Sequence, residues 1–142
     1  MRLLLITLSF LLSSYNAVEL EQVTNNQKVA YYLNTIIEDA IRIHNDTCIP
    51  LELILAQSCL ESGYGTSSLS TQNCNHLGIR PNGKYANFKS TSECLDRYAK
   101  VLQPPCYKNL QPVTLDEWIS ALECCHYASS EEYRWKLKWI IN

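Results

Sequence analysis

The segment from Leu51 to Leu60 is apolar nearly all the way round a helix. A helix with no polar face must be buried, so other elements have to wrap it. That requirement fixes the centre of the fold. Pro50 suits the first position of such a helix, and Gly63, with Gly65 close behind, suits its stop. Residues 27–44 place Val29, Tyr32, Leu33, Ile36, Ile37, Ala40 and Ile43 at helical spacing. Three Ser/Thr-x-x-Glu boxes open further helices. Ser90 to Glu93 precedes Leu95, Tyr98 and Leu102. Thr114 to Glu117 precedes Trp118, Ile119 and Leu122. Ser129 to Glu132 precedes Tyr133, Leu137, Ile140 and Ile141. Residues 63–89 hold all four glycines with several Asn and Ser, and read as loop or a very small hairpin. No run alternates like a strand. The pattern predicts one mainly helical domain.

Composition agrees. A chain of 142 residues, 46% hydrophobic and 18% charged, can bury one core. Its formal charge of −2 gives no footprint for sequence-independent binding to nucleic acid, so no nucleic-acid partner is expected.

The first seventeen residues read as a secretory signal rather than part of the fold. Met1-Arg2 is a positive start, Leu3 to Leu12 an apolar run, and Ser13 to Ala17 a small polar close. The run is too short to span a bilayer. A buried N-terminal helix is the alternative. Residues 18–142 are then the mature domain, periplasmic or secreted, with no stable membrane anchor once the signal is cut. The seven cysteines all lie in that part, and export permits disulfides. Three bridges leave one Cys over, and adjacent Cys124 and Cys125 are poorly placed to pair with each other. No CxxC occurs, and Cys124-Cys125-His126 lacks a spaced second ligand pair, so neither metal nor cofactor is expected.

Glu61 is the candidate for chemistry. It ends the apolar helix, where desolvation and the negative end of the dipole both oppose ionisation. A carboxylic acid raised in this way can donate a proton near neutral pH. Glu52 is its control. It sits about 180° round the same helix, in the first turn, where the dipole favours the carboxylate. The plain alternative is that Glu61 is an ordinary exposed residue at a helix end.

The stretch Leu55-Ala56-Gln57-Ser58-Cys59-Leu60-Glu61-Ser62-Gly63-Tyr64-Gly65-Thr66-Ser67 resembles the AQ-x-x-LESGWG-x-S motif of the bacterial glucosaminidase family. These are peptidoglycan-cleaving N-acetylglucosaminidases. Three further blocks are similar, in the same order. Asn75 to Arg80 looks like the family's NN-L-F-G-I-K turn. Phe88 with Glu93 to Tyr98 looks like its F-R … E-S-x-x-D-Y helix. His126 to Tyr133, with Leu137, Ile140 and Ile141, looks like its G-Y-A-T-D-P-x-Y … L-x-x-I-I close. The likeness runs from about residue 27 to the end.

The resemblance implies a lysozyme-like helical domain with a reduced β-lobe, acting on a β-1,4 glycosidic bond of peptidoglycan glycan strands. It makes Glu61 the catalytic acid and Tyr127 the aromatic residue lining the cleft. It makes Ser62, Tyr64 and Asn75 substrate-binding candidates. Tyr64 stands where the family has Trp, which leaves a smaller face for sugar stacking. For Asn75 and Gly78 a purely structural turn is the competing role. The family's lobe is cut here to Pro81–Asn87, with no Asp or Glu. Two routes then stay open: the substrate's acetamido group serves as nucleophile, or Glu93 or Asp96 lies across the cleft. Glu93 also has a structural reason, since it closes a capping box. Arg134, Lys136 and Lys138 form a basic stripe that reads as a solvated face or a dock for an anionic wall polymer. A lytic transglycosylase and a non-catalytic glycan-binding or scaffold domain are the competing functions. Anchoring to the wall would come from the catalytic domain itself or from a protein partner.

Overall fold

The computed structural model describes residues 27–128 and 130–142. The expected signal at residues 1–17 and Ser129 of the third box lie outside the described residues. Seven α-helices follow one another: α1 Gln27–Thr47, α2 Leu51–Ser62, α3 Ser68–Asn73, α4 Thr91–Val101, α5 Pro105–Leu110, α6 Leu115–Cys124 and α7 Glu131–Ile141. A single 3₁₀ turn, Pro81–Gly83, interrupts the long loop between α3 and α4.

The apolar helix is the hub. α2 packs against α1, α6 and α7, and α1 also packs against α4. Leu51, Leu53 and every residue from Ile54 to Cys59 are buried in it. Its neighbours present one face each: Leu33, Ile36 and Ala40 from α1, Leu95 and Tyr98 from α4, Leu122 from α6, Leu137 and Ile140 from α7. The periodic faces read from the sequence are the faces that close on α2.

The helix ends follow local chemistry. Thr114 and Glu117 form a complete capping box. At α4 the Ser90 hydroxyl accepts from Glu93 N–H, and the Glu93 carboxylate accepts from Lys89 N–H at 2.7 Å. α7 starts one residue later than expected: Ser130 is its N-cap and accepts from Tyr133 N–H. Pro50 is likewise the N-cap of α2, one place before the first helical position. Gly63 closes α2 in the left-handed region, with φ 57°.

The stretch read as loop contains more order than its composition suggests. Ser67 caps α3 by accepting from Ser70 N–H. No strand or hairpin forms among the described residues, so the lobe is reduced to a loop. Asn75 staples it. The Asn75 amide donates to Ile79 and Ala86 carbonyls at 2.9 and 3.0 Å, and its oxygen accepts from Ile79 N–H at 2.9 Å.

The expected disulfide is present, as one bridge rather than three. One bridge forms, Cys106–Cys125, tying α5 to the residue after α6. Cys124 does not pair with its neighbour, as expected. Cys59 and Cys94 are fully buried thiols that serve as small apolar core residues. No described helix is long and apolar enough to cross a membrane.

Candidate active site

Glu61 lies in the last turn of α2, four residues after Gln57 and on the same side. It is half-buried. Burial raises its carboxyl pKa above the ordinary carboxylate value, and a hydrogen bond from the Tyr133 hydroxyl partly offsets that rise. The left-handed turn at Gly78, φ 62°, runs directly beside it. A Cβ at Gly78 would stand 3.1 Å from Glu61 Oε2. Gly78 therefore serves both the turn and the space the acid occupies.

The carboxyl opens into a cleft of about 410 Å³. Leu77, Gly78 and Ile79 form one wall, and Tyr127 another. Arg80 and Arg97 bring positive charge to it. Arg80 is held by stacking 4.7 Å over the Tyr85 ring and by donating to the Gly83 carbonyl. The Tyr127 hydroxyl donates to Leu77 carbonyl at 3.4 Å, and its ring tilts against Tyr133, centroids 6.3 Å apart. Burial and the nearby Glu61 charge both push the Tyr127 pKa well up, so it stays a neutral phenol.

Among the described residues Glu61 is the single carboxylate lining this cleft. Glu93 is spent on the Lys89 turn. Asp96 faces the other way and pairs with Arg42 of α1 at 2.6 Å. Neither sits opposite Glu61. The basic stripe is paired as well: Arg134 with Glu123, Lys136 with Glu132, Lys138 with Asp116. That favours the solvated-face reading over a dock.

The structure brings Glu61 and Tyr127 together and sets the other three candidates apart. Ser62 is fully buried. Its hydroxyl donates to Ser58 carbonyl and accepts from Gly65 N–H at 2.8 Å. Asn75 is fully buried and spent on the turn. Neither has surface to offer a ligand, so the expectation of direct substrate binding gives way to a structural role for both. Tyr64 does not line the Glu61 cleft. Its own left-handed backbone, φ 57°, follows that of Gly63. It lines two other hollows: one of about 740 Å³ against Tyr31 and Tyr32 of α1, and one of about 330 Å³ against Trp135 and Trp139 of α7.

Sequence reasoning missed the partners of Glu61. Gln57 donates to the Tyr133 hydroxyl at 2.9 Å and accepts from the Tyr98 hydroxyl at 2.6 Å. The one available signal was Gln57 itself, an amide in the middle of a mostly apolar helix.

Comparison with known proteins fits this geometry. The sequence matches none of the curated proteins. Solved structures do share the fold. The glycoside hydrolase domain from Salmonella typhimurium FlgJ is 23% identical, with a TM-score of 0.66 over 80% of this chain and 86% of that one. The catalytic domain of the autolysin Auto from Listeria monocytogenes is 21% identical, with a TM-score of 0.68 over 92% of this chain and 86% of that one. An N-acetylmuramoyl-L-alanine amidase from Staphylococcus aureus gives 24% and 0.70, over 84% of this chain and 42% of that one. The family model described as mannosyl-glycoprotein endo-beta-N-acetylglucosaminidase matches residues 37–142. With its lysozyme-like helical fold and a half-buried acid at the end of the central helix, this chain belongs to the glucosaminidase family of glycoside hydrolases.

Proposed function

We propose that the chain is an exported peptidoglycan hydrolase of the endo-β-N-acetylglucosaminidase type, with Glu61 as general acid. The observation that carries this reading is a desolvated carboxyl, alone of its kind among the described residues of an arginine-bordered cleft. Glu61 protonates the leaving glycosidic oxygen as the sugar ring takes on oxocarbenium character. With one carboxylate at hand, the acetamido oxygen of the sugar left of the cut attacks its own C1. Glu61, now ionised, then takes a proton from the water that opens the ring so formed. The product carries a reducing GlcNAc end. Tyr127 forms the cleft wall beside the reacting sugar. The glycan strand is the partner, and the apolar start at residues 1–17 supports action outside the cytoplasm.

The same single carboxylate also suits a lytic transglycosylase, which closes an anhydro ring without adding water. Digestion of purified peptidoglycan separates the two. The chain is made under oxidising conditions so that Cys106–Cys125 closes, beside Glu61→Gln, and fragments are reduced with borohydride and weighed by mass spectrometry. Reduced GlcNAc ends from the wild type alone support the hydrolase. Anhydro ends move the reading to the transglycosylase and keep Glu61. Equal, negligible release by two folded proteins overturns the catalytic reading and leaves a glycan-binding domain.

A further inference from the structure

Gln57 is fully buried, one turn before Glu61. Its amide joins two tyrosines from two other helices. The Tyr98 hydroxyl of α4 donates to Oε1, and Nε2 donates to the Tyr133 hydroxyl oxygen of α7. Gln57 and Glu61 lie one turn apart on the same side of α2, so the Tyr133 hydroxyl held by Gln57 stands beside the Glu61 carboxyl and lowers its pKa. These bonds have a direction. An amide oxygen only accepts and an amide nitrogen only donates. Gln57 is the one hydrogen-bond partner of the buried Tyr98 hydroxyl among the described residues. Turning the amide over would leave the Tyr98 proton with no acceptor, a cost a buried donor does not bear lightly. Tyr98 thus fixes the amide. The amide fills the acceptor side of Tyr133. The Tyr133 proton is then free for the neighbouring Glu61 carboxyl.

We propose that Tyr98 and Gln57 are positioning residues that hold Tyr133 as a donor to one carboxyl oxygen of Glu61, so that the transferable proton rides on the other. The inference rests on the acid role proposed for Glu61. Proton balance is simple: Tyr133 keeps its proton throughout, and the carboxyl alone gains or loses one. The other ionisable groups facing the cleft are Tyr127 and His126 after α6, Arg80 in the turn and Arg97 on α4. None belongs to the chain of hydrogen bonds, so variants of that chain leave the surrounding charges in place.

The test follows the Glu61 carboxyl directly, by carbon NMR titration of the whole chain labelled at its glutamate carboxyls, with Glu61→Gln assigning the signal. Loss of the donor in Tyr133→Phe is expected to raise the Glu61 midpoint by about one pH unit. Tyr98→Phe touches neither Glu61 nor the cleft. It is expected to move the midpoint the same way by less, and to add nothing when combined with Tyr133→Phe. A purely structural Tyr98 would lower the melting temperature and leave the midpoint where it was, which overturns the proposal. Independent, additive shifts overturn it too. Gln57→Met keeps the core volume and takes the place of Tyr98→Phe should that variant not fold, with the same expected shift. The readout needs no turnover. Failed wall digestion beside a shifted midpoint defeats the glycosidase reading alone; active protein beside an unshifted midpoint defeats this inference alone.

Discussion

Two buried polar systems flank α2, and they end differently. On one side Tyr98, Gln57 and Tyr133 run from the core to the Glu61 carboxyl in an open cleft. On the other, the Tyr32 hydroxyl donates to Ser58 carbonyl at 3.1 Å and lies 3.2 Å from His76 Nδ1. His76 Nε2 then meets the Thr91 hydroxyl at 3.3 Å. Both systems satisfy polar atoms in a core that would otherwise lose stability through them. The difference is the terminus. The first stops at an ionisable group with space in front of it, and the second closes on a neutral hydroxyl at a helix start. Burial of polar groups alone therefore does not mark a reactive site; what sets the proposed one apart is that its polar chain ends beside a solvent-reachable acid.

The largest effect should separate the two sides outright. Glu61→Gln is expected to cut glycan turnover about a thousandfold, the middle of the range for a lost general acid. Its stability should move the other way. Burial holds the folded-state pKa of Glu61 above its unfolded value. The stability linked to this group is then full below the unfolded value and lost as pH rises through the folded one. The Gln variant should keep its urea midpoint across that interval while the wild type loses part of its own. Equal slopes for the two proteins would refute the burial argument.

Gly65→Ala tests the opposite side by shape. Gly65 has φ 76°, and a Cβ there would stand 2.3 Å from Tyr32 Cδ2. The ring has to move, and the backbone conformation is strained for any side chain. A loss of about 3 kcal/mol in urea unfolding is expected, with turnover per folded molecule unchanged. Tyr32→Phe is the milder version. It keeps the ring and removes the hydroxyl, leaving Ser58 carbonyl and His76 short of a partner. About 1 kcal/mol should be lost, again without effect on folded-state turnover. A turnover defect in either variant would tie this side to the chemistry and erase the contrast.

Much of the frame was legible. The apolar run of α2 demanded a buried helix, and the periodic faces of α1, α4, α6 and α7 are what bury it. Glu61 stood out because its place at the end of that helix predicts desolvation. Its hydrogen-bonded support was not legible, because Gln57 is 41 residues from Tyr98 and 76 from Tyr133. No local pattern links positions so far apart. Tyr64 was misplaced for a different reason. It stands where the family has Trp, which suggested a sugar-stacking face, but two successive left-handed residues turn the chain away from the Glu61 cleft. Ser62 and Asn75 carry polar side chains in the matched motifs, and polarity alone does not tell a ligand contact from a backbone staple. α3 was hidden because its helix rests on one Ser67 cap in a stretch whose Ser and Asn content reads as loop.

The smallest expected effect is a pH dependence confined to the closed side. Burial lowers the His76 pKa below the ordinary histidine value, because a charged imidazole there would lose its solvation. Tyr32 on α1 and Thr91 at the start of α4 are its hydrogen-bond partners, and neither is a carboxylate that would favour the cation. A depressed folded pKa contributes stability that is full above the unfolded value and is lost as pH falls through the folded one. Between about pH 7.5 and about pH 5 the wild type should therefore lose more of its urea midpoint than His76→Gln, which keeps hydrogen-bonding capacity and does not titrate. The Glu61 and His76 terms run in opposite senses: one removes stability as pH rises and the other as it falls. The pH profiles of stability for His76→Gln, Glu61→Gln and their double variant should thus flatten from opposite ends, and the two changes should add, since the two groups share no hydrogen-bond partner. Strong non-additivity would mean that the two polar systems communicate, with the Leu77–Gly78 turn between His76 and Glu61 as the shortest route.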